Sequence, residues 1–193
     1  MGELWFIRHF RTPWNSAGRL QGQRDIALDD PLCEQDIGTL QGNLERLMGQ
    51  EFALVVTSPL QRARQTAALH GFAEAEPDPD LAEIAFGTWE GRTWDDLEAE
   101  HPGVWQSAPH RLMLGEPFEA FNARIIRFYE RVLATPGPVL AFGHGAWLGG
   151  LQRLLNEGPE TGISRQLLGN GTLVRLNLTL NTQVSLQQYH QHC

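Results

Sequence analysis

The chain has 193 residues, 41% of them hydrophobic, and a formal net charge of −8. That length can bury one core, so a single domain over residues 1–193 is expected, and the acidic balance argues against a nucleic-acid partner, which calls for a basic face or stripe. All 15 basic residues are arginine, so each fixed positive charge is a planar fork suited to bidentate contact with phosphate or carboxylate.

The first apolar run, Leu4-Trp5-Phe6-Ile7, stops at Arg8-His9 and predicts a buried strand. The start of the chain lacks the positive and apolar regions of a secretory signal, and position 6 is Phe, outside the myristoylation pattern. No later run approaches the ~20 apolar residues of a membrane span. A soluble, cytoplasmic protein with no membrane partner is expected. Cys33 and Cys193 have no metal-ligand spacing and are expected as free thiols.

Ile37, Leu40, Leu44, Leu47 and Met48 recur at helical spacing. A second apolar run, Phe52-Ala53-Leu54-Val55-Val56, ends at Thr57-Ser58-Pro59. Ser58 is predicted to N-cap a helix that has Pro59 at its first position and stops near Gly71. Residues 75–115 are richer in Pro, Glu and Trp and are expected to form a cap. Residues 118–133 carry Phe121, Ile125, Phe128 and Val132 on one helical stripe. A third apolar run, Pro138-Val139-Leu140-Ala141-Phe142, ends at Gly143-His144-Gly145. Trp147, Leu148, Leu151, Leu154 and Leu155 mark another helix, ended by Gly158-Pro159. Two strands, 173–178 and 184–189, flank the turn-like Asn181-Thr182. Continuous apolar strands alternating with helices predict an α/β fold, a three-layer α/β/α sandwich with a mostly parallel central sheet.

In such sheets ligands bind at the carboxyl ends of the strands. Three predicted strands end there in polar residues: Arg8-His9, Ser58 with Arg62 one turn on, and His144. Two histidines and several arginines around one point suit phosphoryl transfer. A neutral imidazole is a competent nucleophile, and fixed cations stabilise charge on the transferred group's oxygens. A carboxylic acid of raised pKa would protonate the leaving alkoxide.

The motifs, read together, resemble one family. Arg8-His9-Phe10-Arg11-Thr12-Pro13-Trp14-Asn15 is similar to the R-H-G-x-T-x-x-N signature of the histidine phosphatase, or phosphoglycerate mutase-like, superfamily. Gln21-Gly22 with Asp25 and Leu28 resembles its Q-G-x-x-D-x-x-L. The run from Ser58 through Arg62 and Thr66 to Ala67 matches S-P-L-x-R-A-x-x-T-A. Leu81-Ala82-Glu83, then Phe86-Gly87-Thr88-Trp89-Glu90-Gly91, resembles L-x-E-x-x-F-G-x-W-E-G. Gly115-Glu116 and Gly143-His144-Gly145 stand where the family has G-E-S and S-H-G.

The resemblance implies a phosphoglycerate mutase-like fold and a metal-independent phosphomonoesterase without a cofactor. His9 would carry the phosphoryl group. Arg8, Arg62 and a protonated His144 would hold its oxygens. Glu83 would donate the leaving-group proton, with Glu90 its main rival. Asn15, Gln21 and Gly22 would line the pocket. A small phosphorylated metabolite is the implied partner; a homodimer pairing through the C-terminal strands is compatible but not required.

The largest departure is Phe10 where the family keeps glycine. Either the local backbone has shifted from a positive φ or that angle was never special, and the Phe10 ring is expected at the pocket mouth beside Arg11. Two other readings stand beside the phosphatase. One is a phosphoglycerate-type mutase, disfavoured by the short stretch, about thirty residues, between Glu83 and Gly115. The other is a non-catalytic phospholigand-binding module, motivated by Phe10.

Overall fold

A computed structural model describes residues 1–156 and 168–179. Among the described residues, five strands form one sheet: β1 (Gly2–Arg8), β2 (Leu54–Thr57), β3 (Glu76–Pro77), β4 (Pro138–Gly143) and β5 (Leu173–Leu178), in the order β3-β2-β4-β1-β5. The β1–β4, β4–β2 and β2–β3 pairs are parallel, and only β5 runs antiparallel, against β1. Seven α-helices are described: α1 (Pro13–Ser16), α2 (Glu34–Leu47), α3 (Gln61–Leu69), α4 (Trp94–Glu100), α5 (Val104–Ser107), α6 (Phe118–Ala134) and α7 (Gly145–Asn156). No described helix is long and apolar enough to cross a membrane.

The strands read as continuous apolar runs because both sheet faces are covered. In β1, Leu4 and Phe6 join the core shared with α6 and α7, whereas Trp5 and Ile7 join the core holding Leu47 of α2 and Ala67 of α3. A residue period of two thus feeds two cores from one strand, giving the expected three layers. Phe6 stacks on Trp147 of α7, with ring centroids 5.2 Å apart. Helix α6 buries Phe121, Ile125, Phe128 and Val132, the stripe predicted from sequence. The expected partner strand at 184–189, the Gly158-Pro159 helix stop and Cys193 lie outside the described residues.

Three expectations gain detail. Helix α2 forms, but it buries Asp36, Asn43 and Leu47 and leaves Ile37, Leu44 and Met48 exposed. Asp36 and Asn43 face inward because they have polar partners there: the Arg11 backbone N–H at 3.4 Å, and His70 and Gly171. Apolar spacing alone is blind to such partners. Residues 75–115 pack into the main core: Phe86, Trp89 and Trp105 belong to the same cluster as β1 and α6, and Leu20 exchanges backbone hydrogen bonds with Gly91 and Arg92 of the segment. Finally, α3 begins at Gln61 rather than Pro59, and the Gln61 N–H is taken by Asp25 Oδ1 at 2.6 Å; Ser58 Oγ accepts the Leu60 N–H at 3.3 Å just ahead of the helix.

Candidate active site

Parallel register brings the polar strand ends together. Arg8 pairs with Gly143, and Thr57 with Phe142, so β1, β2 and β4 finish on one edge of the sheet. The chain then continues the ladder briefly: His9 N–H donates to the Gly143 carbonyl at 2.9 Å, and Ser58 N–H to that of Phe142 at 2.8 Å. The His9 and His144 rings end 5.2 Å apart, tilted by 58°. Ser58 Oγ lies 2.7 Å from His144 Nε2, with both residues fully buried. Sequence reading missed this pairing because the two residues lie 86 positions apart.

His9 Nδ1 is 2.6 Å from the carbonyl oxygen of Phe10. A carbonyl only accepts, so Nδ1 carries the hydrogen and Nε2 holds the free lone pair. Burial, then the positive charges of Arg62 and Arg8, push the His9 pKa well below its ordinary value. His9 is therefore a neutral imidazole with one bare nitrogen. Burial acts on His144 in the same way, reinforced by Arg62, His9, Arg124 and Arg8. Without a bound anion the neutral form of His144 is therefore favoured, first by burial and then by these cations.

Arg62 is 1% exposed and donates to the carbonyls of Gly22 at 2.7 Å and Arg24 at 2.8 Å. Burial lowers its pKa to about 10 against the opposing pull of Glu83, Asp25 and Glu90. Arg8 donates Nη1 to the Leu168 carbonyl. Among the described residues, Arg8 Nε, Arg62 Nε and His144 Nδ1 are buried without a hydrogen-bond partner. An orphaned buried polar group costs about 1–3 kcal/mol. Orphaned nitrogens on two arginines and a histidine, from the ends of β1 and β4 and the first turn of α3, suit an anion.

Glu83 is buried and receives three backbone N–H groups: Trp147 at 2.9 Å and Ile84 at 3.1 Å on Oε1, and Ala146 at 3.0 Å on Oε2. It thus sits at the N-terminus of α7, directly after His144. Burial raises its pKa, opposed by the hydrogen bonds from Ala146 and Ile84 and by Arg62 and Arg8. Its backbone is braced by Arg124, which donates to the carbonyls of Ala82, Asp80 and Glu83 and pairs with Glu116. Arg124 is legible in the sequence as an oddity, an arginine on the apolar stripe of α6, but its partners are not.

Glu90 is committed elsewhere. Its Oε1 accepts from the Gln23 and Phe86 backbones at 3.0 and 3.2 Å, and its Oε2 faces Arg24. It also explains Gly22, whose φ is +54° and where a Cβ would meet Glu90 Oε1 at 2.2 Å. Only glycine tolerates both. Gln21 is buried, with Oε1 unpartnered among the described residues. Asn15 caps α1 through a reciprocal box with Thr12 and holds the loop after His9 together. Asn170, which no motif singled out, donates to the His9 carbonyl at 3.0 Å.

Two predicted pocket residues lie elsewhere. Phe10 is fully buried and stacked on His70, not at a pocket mouth. No non-glycine residue among those described has positive φ, so phenylalanine at this position is unstrained. Arg11 binds Gln35 Oε1 at 2.6 Å and Cys33 Sγ at 3.1 Å and faces Asp36 Oδ1 at 3.9 Å, at the start of α2. Among the described residues no three His, Cys, Asp or Glu side chains cluster as a metal site would need.

Known proteins are similar over most of the chain. The family model for the histidine phosphatase superfamily (branch 1) matches residues 4–189. The chain is 35% identical over 140 residues to the adenosylcobalamin/alpha-ribazole phosphatase of Salmonella typhimurium, covering 67% of this chain and 66% of that protein. It thus spans just under two thirds of that relative's length. Among solved structures, it resembles a phosphoglycerate mutase from Thermus thermophilus, with 31% identity, a TM-score of 0.70, and 91% and 92% of the two chains covered. It also resembles the mycobacterial glucosyl-3-phosphoglycerate phosphatase Rv2419c, at 26% identity and a TM-score of 0.72, over 90% and 89% of the chains.

Proposed function

The chain belongs to branch 1 of the histidine phosphatase superfamily, and from that premise we propose that it is a phosphomonoesterase working through a phosphohistidine on His9. Its substrate is a small phosphorylated metabolite. The observation that carries the reading is the state of His9: neutral, with Nδ1–H tied to the Phe10 carbonyl and Nε2 left to attack phosphorus. Its neighbours include two arginines and a histidine with unpartnered buried nitrogens.

In the first half-reaction Nε2 of His9 bonds to phosphorus as the ester P–O bond breaks. Protonated Glu83, whose pKa is raised by burial, gives its proton to the leaving alkoxide. In the second, Glu83 takes a proton from water, whose oxygen displaces His9 from phosphorus and releases inorganic phosphate. Arg8, Arg62 and His144 hold the phosphoryl oxygens throughout. The incoming dianion supplies the negative charge that the site lacks, so binding favours protonation of His144. Arginine and imidazolium take the place of a metal cation, and full turnover in chelator is expected. Gln21 and Gly22 shape the wall beside Arg62.

Trapping with labelled substrate tests the reading directly. Wild-type protein should carry acid-labile label, and His9→Ala none; label retained in the variant refutes it. A mutase is the second reading, favoured by the likeness to the Thermus phosphoglycerate mutase. Isomerisation of phosphoglycerate primed by a bisphosphate, at rates above inorganic phosphate release, would select it.

A further inference from the structure

Phe10 stands where the family pattern has glycine, and its ring is fully buried beside the nucleophile. One face lies parallel to the His70 ring, with centroids 5.6 Å apart and planes 5° apart. One edge abuts Gly171, where a Cβ would stand 2.3 Å from Phe10 Cε1. Asn43 ties these two walls together. Its Nδ2 donates to the Gly171 carbonyl at 2.8 Å and lies 3.2 Å from His70 Nε2. His70 Nδ1, 2.7 Å from the Thr66 carbonyl, is the protonated nitrogen, so Nε2 is free to accept from Asn43.

The Phe10 backbone is pinned to the same elements. Its N–H donates to Thr66 Oγ1 at 3.1 Å. Gly171 N–H donates to the carbonyls of Arg8 at 3.0 Å and His9 at 3.1 Å. The one Phe10 group that reaches the nucleophile is its carbonyl, 2.6 Å from His9 Nδ1.

We propose that this slot, with His70 as its face, Gly171 as its edge and Asn43 as the tie, positions His9 by seating the Phe10 ring. A seated ring fixes the Phe10 carbonyl; the carbonyl fixes the Nδ1–H tautomer; that tautomer leaves Nε2 bare. Phe10, His70, Asn43 and Gly171 are positioning residues. A residue that needs a slot replaces one with no side chain, and the glycine at 171 makes the room. The consequence for turnover rests on His9 being the nucleophile, whereas the consequence for the His9 tautomer does not.

The test pairs histidine ¹⁵N NMR on the full chain with turnover of p-nitrophenyl phosphate. Wild type should show a single Nδ1–H tautomer at His9. Phe10→Ala should show mixed tautomers and a kcat lower by about 10- to 100-fold, with KM within about 3-fold, as for a misplaced but intact catalytic group. Phe10→Leu, which keeps most of the volume without the stack, gives the same reading if Phe10→Ala folds poorly. The proposal is overturned by a wild-type tautomer and kcat in Phe10→Leu or Phe10→Ala. If wild type traps no phosphoryl group, the phosphatase reading falls while the NMR spectra still decide the slot.

Discussion

Glu83→Gln separates proton donation from every other role of that side chain. Both Glu83 oxygens accept backbone N–H groups, two on Oε1 and one on Oε2. A glutamine can present its oxygen to Trp147 and Ile84, but its amide NH₂ then faces the Ala146 N–H. One hydrogen bond is lost and two donors oppose each other, a cost of about 1–3 kcal/mol in stability. Part of that is offset, because the amide removes a carboxyl group whose charged form is disfavoured by burial. Catalysis should suffer more. Loss of a general acid costs about 10²–10⁴-fold, or about 2.7–5.4 kcal/mol of barrier at about 1.36 kcal/mol per decade. That loss should fall on esters that need a proton. We expect kcat/KM for glycerol phosphate to drop by about 10²-fold or more and that for p-nitrophenyl phosphate by less than about 10-fold, since nitrophenolate leaves without help. The pH profile gives a second reading. The acid must be protonated and its pKa is raised, so wild-type activity on glycerol phosphate should decline as pH rises through that elevated value. The variant should lack this limb. Equal slowing of both esters, or an unchanged limb, would refute Glu83 as the donor.

Other outcomes follow from the same geometry. Ser58→Ala leaves the fully buried His144 Nε2 without its 2.7 Å partner, so kcat should fall about 5- to 150-fold, matching about 1–3 kcal/mol; steady-state kinetics on p-nitrophenyl phosphate measure it. Asp25→Ala removes the acceptor of the Gln61 N–H and should cost about 1 kcal/mol, as loss of a helix cap does, visible as a lower urea midpoint. His9, His144 and His70 all have pKa values pushed below 6.5, chiefly by burial. A depressed folded-state pKa means that the unfolded chain binds more protons as pH falls below 6.5, so stability is present above that pH and lost beneath it. Unfolding midpoints at about pH 7.5, 6.5 and 5.5 should decrease in that order, and a flat series would contradict buried neutral histidines.

Chain order and residue type determine much of this protein. Apolar runs closed by Arg8-His9, Ser58 and His144 already imply parallel strands with chemistry at one edge, because strands covered on both faces must be apolar throughout. Motif spacing carries the family, and motif position alone separates Glu83 from Glu90. What remains is partner choice, which depends on groups that are distant in sequence and adjacent only after folding. Helix α2 turns Asp36 and Asn43 inward because Arg11, His70 and Gly171 wait there, a fact that hydrophobic spacing cannot register. Ser58 looks like a cap in one dimension, yet the end of β4 places His144 within 2.7 Å of it. Asp25 serves the first N–H of the helix. Phe10 shows the division most sharply. Its identity marks a departure at the nucleophile, and only tertiary structure reveals that the ring turns away from the pocket, into a space bounded by His70 and Gly171. A side chain's direction is settled by the volume available to it, and that volume exists only once the fold is closed.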